Sequence, residues 1–247
     1  MQTQVPDSLR CVAYDSQEVV PGTTRLEFFG TGTRLGTVSA TRRIESELVA
    51  WLMAGAAVRR LVLDELALTA SAKSFARVTT PFIENPNVKP GDIDLIVCDT
   101  GRPGEAVVVE FKRVKVVAAD ETENVNRLNT LAGVVPQLKG LHALGFARTY
   151  LGAIAIVDGR DKVGSNFLFR GVSGETYSRV MRLIEGLPLP SEIGLLYVEI
   201  IQPAHDSLEN AYMVCVVTPR RAKQRSQSER LTTLVDNFFR SPPTQHA

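Results

Sequence analysis

The chain has 247 residues, 44% of them apolar, with 28 basic and 27 acidic side chains and a formal net charge of +1. That is enough apolar material for one sizeable hydrophobic core with elaborations. The charge balance excludes a histone-like or generally basic coat for polyanions, and leaves room for phosphate contacts confined to one cleft.

The N-terminal MQTQVPDSLR has no basic start followed by an apolar stretch, so no signal peptide is expected. No apolar run approaches membrane-spanning length, and the expectation is a soluble, cytoplasmic protein without membrane contact. Residues 1–40 contain short strand-like pieces such as Arg25–Phe29, then the glycine-rich FGTGTRLG. That stretch lacks the Gly-Lys-Ser/Thr ending of a phosphate loop and reads as a turn between strands. Thr41 is a candidate cap for a helix through Ile44, Leu48, Trp51, Leu52 and Val58, whose apolar residues recur at helical spacing. A second helical stretch is predicted from Leu61 to Phe75, followed by an irregular approach bracketed by Pro81, Pro86 and Pro90.

Asp92–Cys98 reads as a strand, DTGRPG as a turn-rich loop, and Ala106–Val117 as a second strand in a hairpin with the first. Polar residues from Ala119 to Asn129 lead into a helical region reaching about Ala147, with Pro136 starting or kinking its last segment. A strand at Tyr150–Val157, a helix at Glu175–Glu185, strands at Gly194–Ile201 and Ala211–Val217, and a helix at Glu229–Phe239 complete a mixed α/β pattern. Between the last strand and helix, PRRAKQRSQSER (219–230) reads as a basic, solvated linker. Cys11, Cys98 and Cys215 form no CxxC or zinc spacing, which fits a reducing compartment; Cys98 and Cys215 lie in apolar runs and read as core residues. His142, His205 and His246 form no ligand pair, and no serine-nucleophile elbow is present.

Two strands stand out because charges interrupt strongly apolar runs. In GDIDLIV, alternation puts Ile93, Leu95 and Val97 on one face and Asp92 and Asp94 on the other. In AVVVEFK, Val107, Val109 and Phe111 share a face, while Glu110 and Lys112 point the opposite way. If the apolar faces join one core, Asp94, Glu110 and Lys112 converge on the other side. Each desolvated charge costs on the order of several kcal/mol unless it pairs or binds an ion. A divalent cation such as Mg²⁺ would relieve the repulsion of two neighbouring carboxylates. Spacing alone leaves a plain Glu–Lys or Asp–Lys salt bridge equally open.

The strings GDIDLIV and VVVEFK, on adjacent predicted strands between helices, resemble the PD-(D/E)xK superfamily of restriction-endonuclease-like nucleases. The likeness is to its G-x-I-D-L-I and V-x-V-E-x-K members, which include Holliday-junction-resolvase-like, repair and defence nucleases. It spans about residues 41–157, with the motif in 91–112; the usual proline before the aspartate is absent. The resemblance implies that Asp94 and Glu110 hold Mg²⁺ or Mn²⁺ together with the Phe111 backbone carbonyl, and that Lys112 handles the attacking water. It implies an acidic residue on the preceding helix, for which Glu45 and Glu47 both qualify and Glu45 fits the apolar residues at +3 and +7 better. It also implies a glutamine on the following helix, matched by Gln137, although the stretch between Lys112 and Gln137 is long for the pattern.

The expected architecture is thus one α/β domain over 1–247, with a restriction-endonuclease-like core of mixed sheet flanked by helices and N- and C-terminal elaborations. Its core covers about 41–157, further strands and a helix cover 158–218, and a basic linker and helix cover 219–247. The expected activity is metal-dependent phosphodiester hydrolysis with nucleic acid, DNA in particular, as partner, in a homodimer or larger complex. An inactive or partner-dependent binding module of the same fold, and a scaffold whose charged strands form surface ion pairs, are the alternatives. Arg42, Arg43, Arg59 and Arg60 flank the first helix as solvated charges or the border of a DNA cleft, and Arg113 and Lys115 extend the Glu-x-Lys strand.

Overall fold

The computed structural model describes residues 12–14, 25–31, 45–78, 91–119, 122–126, 131–158, 167–203 and 211–241. Thr41, Arg42, Arg43, the three prolines at 81, 86 and 90, Cys11, His205 and His246 lie outside them, as does most of FGTGTRLG.

The fold is α/β: an open mixed sheet with helices on both faces. Its body is six strands: β3 (Lys73–Val78), β4 (Ile93–Cys98), β5 (Val107–Ala119), β7 (Arg148–Asp158), β9 (Gly194–Pro203) and β10 (Ala211–Arg220). They lie side by side in the order β10-β9-β7-β5-β4-β3. Beyond β10 the sheet continues through β2 (Arg25–Thr31) to β1 (Val12–Tyr14). Two short strands attach elsewhere: β6 (Thr122–Asn126) pairs with the second half of β5, and β8 (Phe167–Arg170) with the ends of β7 and β9. β5, β7 and β9 are mutually parallel and the other pairings antiparallel.

Parallel neighbours require crossovers. These carry α3 (Val134–Ala143), between β5 and β7, and α4 (Gly174–Glu185), between β7 and β9. Both pack on one face, where Val134, Leu138, Val180 and Ile184 meet Leu151, Ala153 and Ala155. α5 (Glu229–Arg240) covers the neighbouring part of that face with Leu231, Val235 and Phe238. α1 (Glu45–Ala54) and α2 (Ala56–Glu65) cover the opposite face through Leu48, Leu52, Val58 and Leu61. A sheet covered on both sides explains why both faces of β4 and β7 carry apolar residues, as in Leu95–Cys98 and Ile154–Val157. Among the described residues no helix is long and apolar enough to cross a membrane.

Several expectations change. The first helix does not run to Val58: Gly55, at φ −80° and ψ 120°, breaks it and opens α2. The second helical stretch stops at Glu65, and Phe75 lies in β3 opposite Ile96. The reversal is held by Asp99, whose Oδ1 accepts the Thr69 N–H at 3.0 Å and the Thr69 hydroxyl at 2.6 Å. Thr122–Asn126, expected as a polar lead-in, is strand β6. α3 ends at Ala143 rather than Ala147, with Gly145 at φ +95° turning the chain toward β7. Pro136 sits in the first turn of α3, where a backbone N–H has no helical partner to lose.

The basic segment is also more than a solvated linker. Arg221 Nη1 donates to the Glu65 carbonyl at 2.8 Å, and the Lys223 N–H donates to that of Glu192 at 2.9 Å. The Arg225 N–H reaches Ala147 O at 3.0 Å, its Nε reaches Phe146 O at 2.8 Å, and its Nη2 the His142 carbonyl. Gln227 Nε2 donates to Pro103 O at 2.9 Å. Residues 221–227 are therefore a strap across the end of the sheet where β5, β7 and β9 begin.

Candidate functional site

Strand alternation sorts the residues of β4 and β5 as the sequence implies. Leu95, Val97, Val107, Val109 and Phe111 join the cluster under α1 and α2, whereas Ile96, Cys98 and Val108 join the opposite one. Asp94, Glu110 and Lys112 share the parity of this second set. Ile93 departs from the expected pattern, packing with Val78 in the second cluster at the sheet edge. The two faces therefore do not reduce to one core and one solvated side. Helices cover both, and Glu110 is only 1% exposed.

The edge of β5 that faces β4 explains how the acidic side chains are held. Pairing with β4 ends at Leu95↔Val109, and pairing with β6 begins at Lys115↔Asn126. Between them, among the described residues, β5 lacks a neighbouring strand on this edge, and two carboxylates fill the gap. Asp94 Oδ2 accepts the Phe111 N–H at 2.7 Å, and Glu45 Oε1 accepts the Arg113 N–H at 3.3 Å. Backbone groups in a strand interior need such partners. A residue's N–H and C=O serve the same neighbour in an antiparallel pair, so the Phe111 carbonyl lies on this edge too.

On the face above the gap, Lys112 Nζ donates to Glu110 Oε1 at 2.6 Å. Glu110 Oε2 is buried without a hydrogen-bond partner among the described residues. Burial, and then the Asp94 charge beside it, push the Glu110 carboxyl up to about 8 despite the Lys112 ion pair. Burial also raises Asp94, against the Phe111 hydrogen bond and the Lys112 charge, with Glu45 adding to the rise. Burial opposes the charge on Lys112, but its hydrogen bond to Glu110 and the nearby Glu110, Asp94 and Glu45 charges hold its ammonium above the usual lysine range. Four ionisable groups from α1, β4 and β5 are thus electrically coupled at one place.

The structure brings Asp94, Glu110, Lys112 and Glu45 together. Glu47, two residues further along α1, lies on a different side of the helix and is exposed. Gln137 approaches from α3, but its Nε2 donates to the Asp92 carbonyl at 3.3 Å, not to the Glu110 carboxylate. Gly91, at φ +81°, lies against the same amide, so Gln137 braces the turn that enters β4. The Arg113 N–H is a site component that side-chain patterns do not reveal. The side chain of Lys115 is outside the described set. Arg59 donates to the Ala72 carbonyl and Arg60 pairs with Asp64, so both serve local structure. His142 lies at the strap, away from this cluster. The Cys98 thiol is pushed up to about 11 by burial and then by acidic neighbours, which suits a core residue and not a nucleophile.

Among the described residues no group of three or more His, Cys, Asp or Glu side chains is arranged to hold a metal ion. Mg²⁺ nevertheless commonly takes only one or two carboxylates, completing its shell with water and substrate phosphate. The donors of Asp94 and Glu110 are hard oxygens, and a buried carboxylate oxygen with no partner is the kind of atom a cation satisfies. The residues present therefore fit a hard divalent ion held by two carboxylates. Neither a scan against protein-family models nor a search of curated proteins finds a match for this chain.

Proposed function

We propose that this protein is a metal-dependent nuclease that hydrolyses phosphodiester bonds, with DNA as the expected substrate and a restriction-endonuclease-like core as its scaffold. The observation that carries the reading is the buried Glu110 Oε2 beside Asp94, without a hydrogen-bond partner among the described residues, with the Lys112 ammonium 2.6 Å from the other Glu110 oxygen. A structural ion pair alone would not call for a second carboxylate beside an already desolvated one. Asp94 and Glu110 would hold Mg²⁺ or Mn²⁺, with the Phe111 carbonyl on the same edge of β5. Such an ion supplies polarisation of a phosphoryl oxygen and acidification of a water. Lys112 would orient the attacking water and stabilise charge developing on the phosphate. Glu45 would keep that lysine charged while fixing β5 through the Arg113 N–H.

A second reading has its own support in the Lys112–Glu110 contact, which by itself describes a half-buried structural ion pair in a binding or scaffold protein. The deciding experiment is cleavage of linear, circular, branched and single-stranded DNA with Mg²⁺ or Mn²⁺, comparing wild type with Asp94→Ala, Glu110→Ala and Lys112→Ala. Metal-dependent cleavage lost in all three variants supports the nuclease. Cleavage that survives equally in all three removes the site assignment, and absence of both cleavage and Mn²⁺ binding in wild type favours the ion-pair reading.

A further inference from the structure

We propose that Gly152 is a positioning residue for the carboxylate site, acting through the ring of Phe111; this rests on the metal-site reading above. Phe111 is joined to Asp94, Glu110 and Lys112. Its N–H holds Asp94, its sequence neighbours are Glu110 and Lys112, and its carbonyl lies on the gap in the β5 edge. Its ring points to the opposite face, into the cluster under α1 and α2, where it is 1% exposed.

Gly152 is the residue paired with Phe111 in the parallel β5–β7 ladder. A Cβ on Gly152 would fall 2.4 Å from Phe111 Cδ1 and 2.5 Å from Cε1. Such approaches are far inside van der Waals contact, and the packed cluster offers the ring little freedom to retreat. The ring therefore lies directly over the glycine backbone. The cluster resists displacement of the ring, and the β5–β7 register from Val107↔Arg148 to Val117↔Asp158 resists sliding, so the strain is relieved by a local tilt of the backbone between Glu110 and Lys112. Reactive groups misplaced by about 1 Å can lose on the order of 100-fold in rate, so a small tilt here matters.

The same sheet contains an internal comparison. Tyr150 pairs with Gly194 in the β7–β9 ladder, and a Cβ on Gly194 would fall 2.3 Å from Tyr150 Cε1 and 2.6 Å from the Ala222 backbone nitrogen. Gly194→Ala is thus a steric insult of the same kind in the same sheet, one strand further from the carboxylates.

The test measures Mn²⁺ binding by electron paramagnetic resonance, single-turnover cleavage and thermal unfolding for wild type, Gly152→Ala, Gly194→Ala and the double variant Gly152→Ala/Phe111→Leu. Gly152→Ala is expected to weaken Mn²⁺ binding and the cleavage rate by about tenfold or more. Phe111→Leu in the same chain should restore much of both by giving the methyl group room. Gly194→Ala should lower the unfolding temperature while leaving Mn²⁺ affinity near wild type. Wild type that binds Mn²⁺ with Gly152→Ala binding equally well overturns this inference alone. Equal loss of affinity in the two alanine variants, or no recovery in the double variant, also overturns it. Wild type that binds no Mn²⁺ overturns the metal-site reading and this inference with it.

Discussion

The Asp94 carboxylate accepts the Phe111 N–H at 2.7 Å, just beyond the last pair joining β4 to β5. The side chain thus finishes a ladder that the backbone of β4 leaves. Asp94→Ala would leave that buried N–H unsatisfied and cost about 1–3 kcal/mol of stability. Asp94→Asn keeps an oxygen in place and should cost about 1 kcal/mol or less. Both should weaken Mn²⁺ binding. Urea unfolding in EDTA beside a Mn²⁺ titration checks the pair: equal stability losses would mean the hydrogen bond contributes nothing.

Glu110→Gln should separate folding from function. The wild-type carboxyl is buried, beside Asp94, and one of its two oxygens has no hydrogen-bond partner among the described residues. At neutral pH the folded state keeps this carboxyl largely protonated while the unfolded chain ionises it; an amide, neutral in both states, removes that cost, so the metal-free variant should be more stable by on the order of 1–3 kcal/mol. A weaker hydrogen bond from Lys112 to the amide oxygen offsets part of that gain. Cleavage should fall by about 100-fold or more. Thermal unfolding in EDTA is the check, and a less stable variant would show that the Lys112 contact outweighs the cost of burying this carboxyl.

The same carboxyl sets a pH dependence. Its folded value is raised from 4.5 to about 8, so the folded state binds the proton more tightly than the unfolded chain. Stability from this group is complete below about 4.5 and is lost as pH rises toward 8. Asp94, also raised, contributes with the same sign. His142 is lowered from 6.5 by burial and by Arg225, and acts in the opposite sense as pH falls through its range. The diagnostic quantity is therefore the difference between wild type and Glu110→Gln in EDTA, which should widen from about pH 5 to about pH 8. Saturating Mn²⁺ should shrink the wild-type decline, because the cation replaces the proton. A difference that stays constant over that interval would contradict the assignment.

Arg225 should matter to the fold and not to the site. Its guanidinium serves the Phe146 and His142 carbonyls at the end of α3. Arg225→Ala would unpair them and should cost about 2–3 kcal/mol, with Arg225→Lys recovering only part because a lysine cannot span both. Mn²⁺ affinity of the folded variants should match wild type. A variant as stable as wild type would mean that the strap is held elsewhere along its length.

The parts of this fold visible in the sequence are those set by local pattern. β4, β5 and their hairpin announce themselves as apolar runs joined by turn formers, and simple alternation puts Asp94, Glu110 and Lys112 on one face, where they lie. β3 is hidden because Leu61–Phe75 continues a helical spacing; only pairing with β4 and the Asp99 clamp make Lys73–Val78 a strand. β6 is hidden for a related reason, its polar residues forming a strand through pairing with β5. The gap in the β5 edge has no sequence signal, since it depends on where two neighbouring strands stop. Gln137 shows the limit of reading by motif: it stands on the expected helix, but its amide supports the turn before β4.

α5 has one more consequence. Its Leu231, Val235 and Phe238 cover Ile96, Cys98 and Val108, the apolar neighbours of the acidic cluster on the same face. Those partners are far apart along the chain, so closing this contact costs loop entropy that local contacts do not. During synthesis the β4–β5 hairpin emerges from the ribosome well before its cover does. Until residues 229–240 have been made, Leu231, Val235 and Phe238 are missing from the cover over Ile96, Cys98 and Val108, and transiently exposed apolar surface of this kind is prone to association.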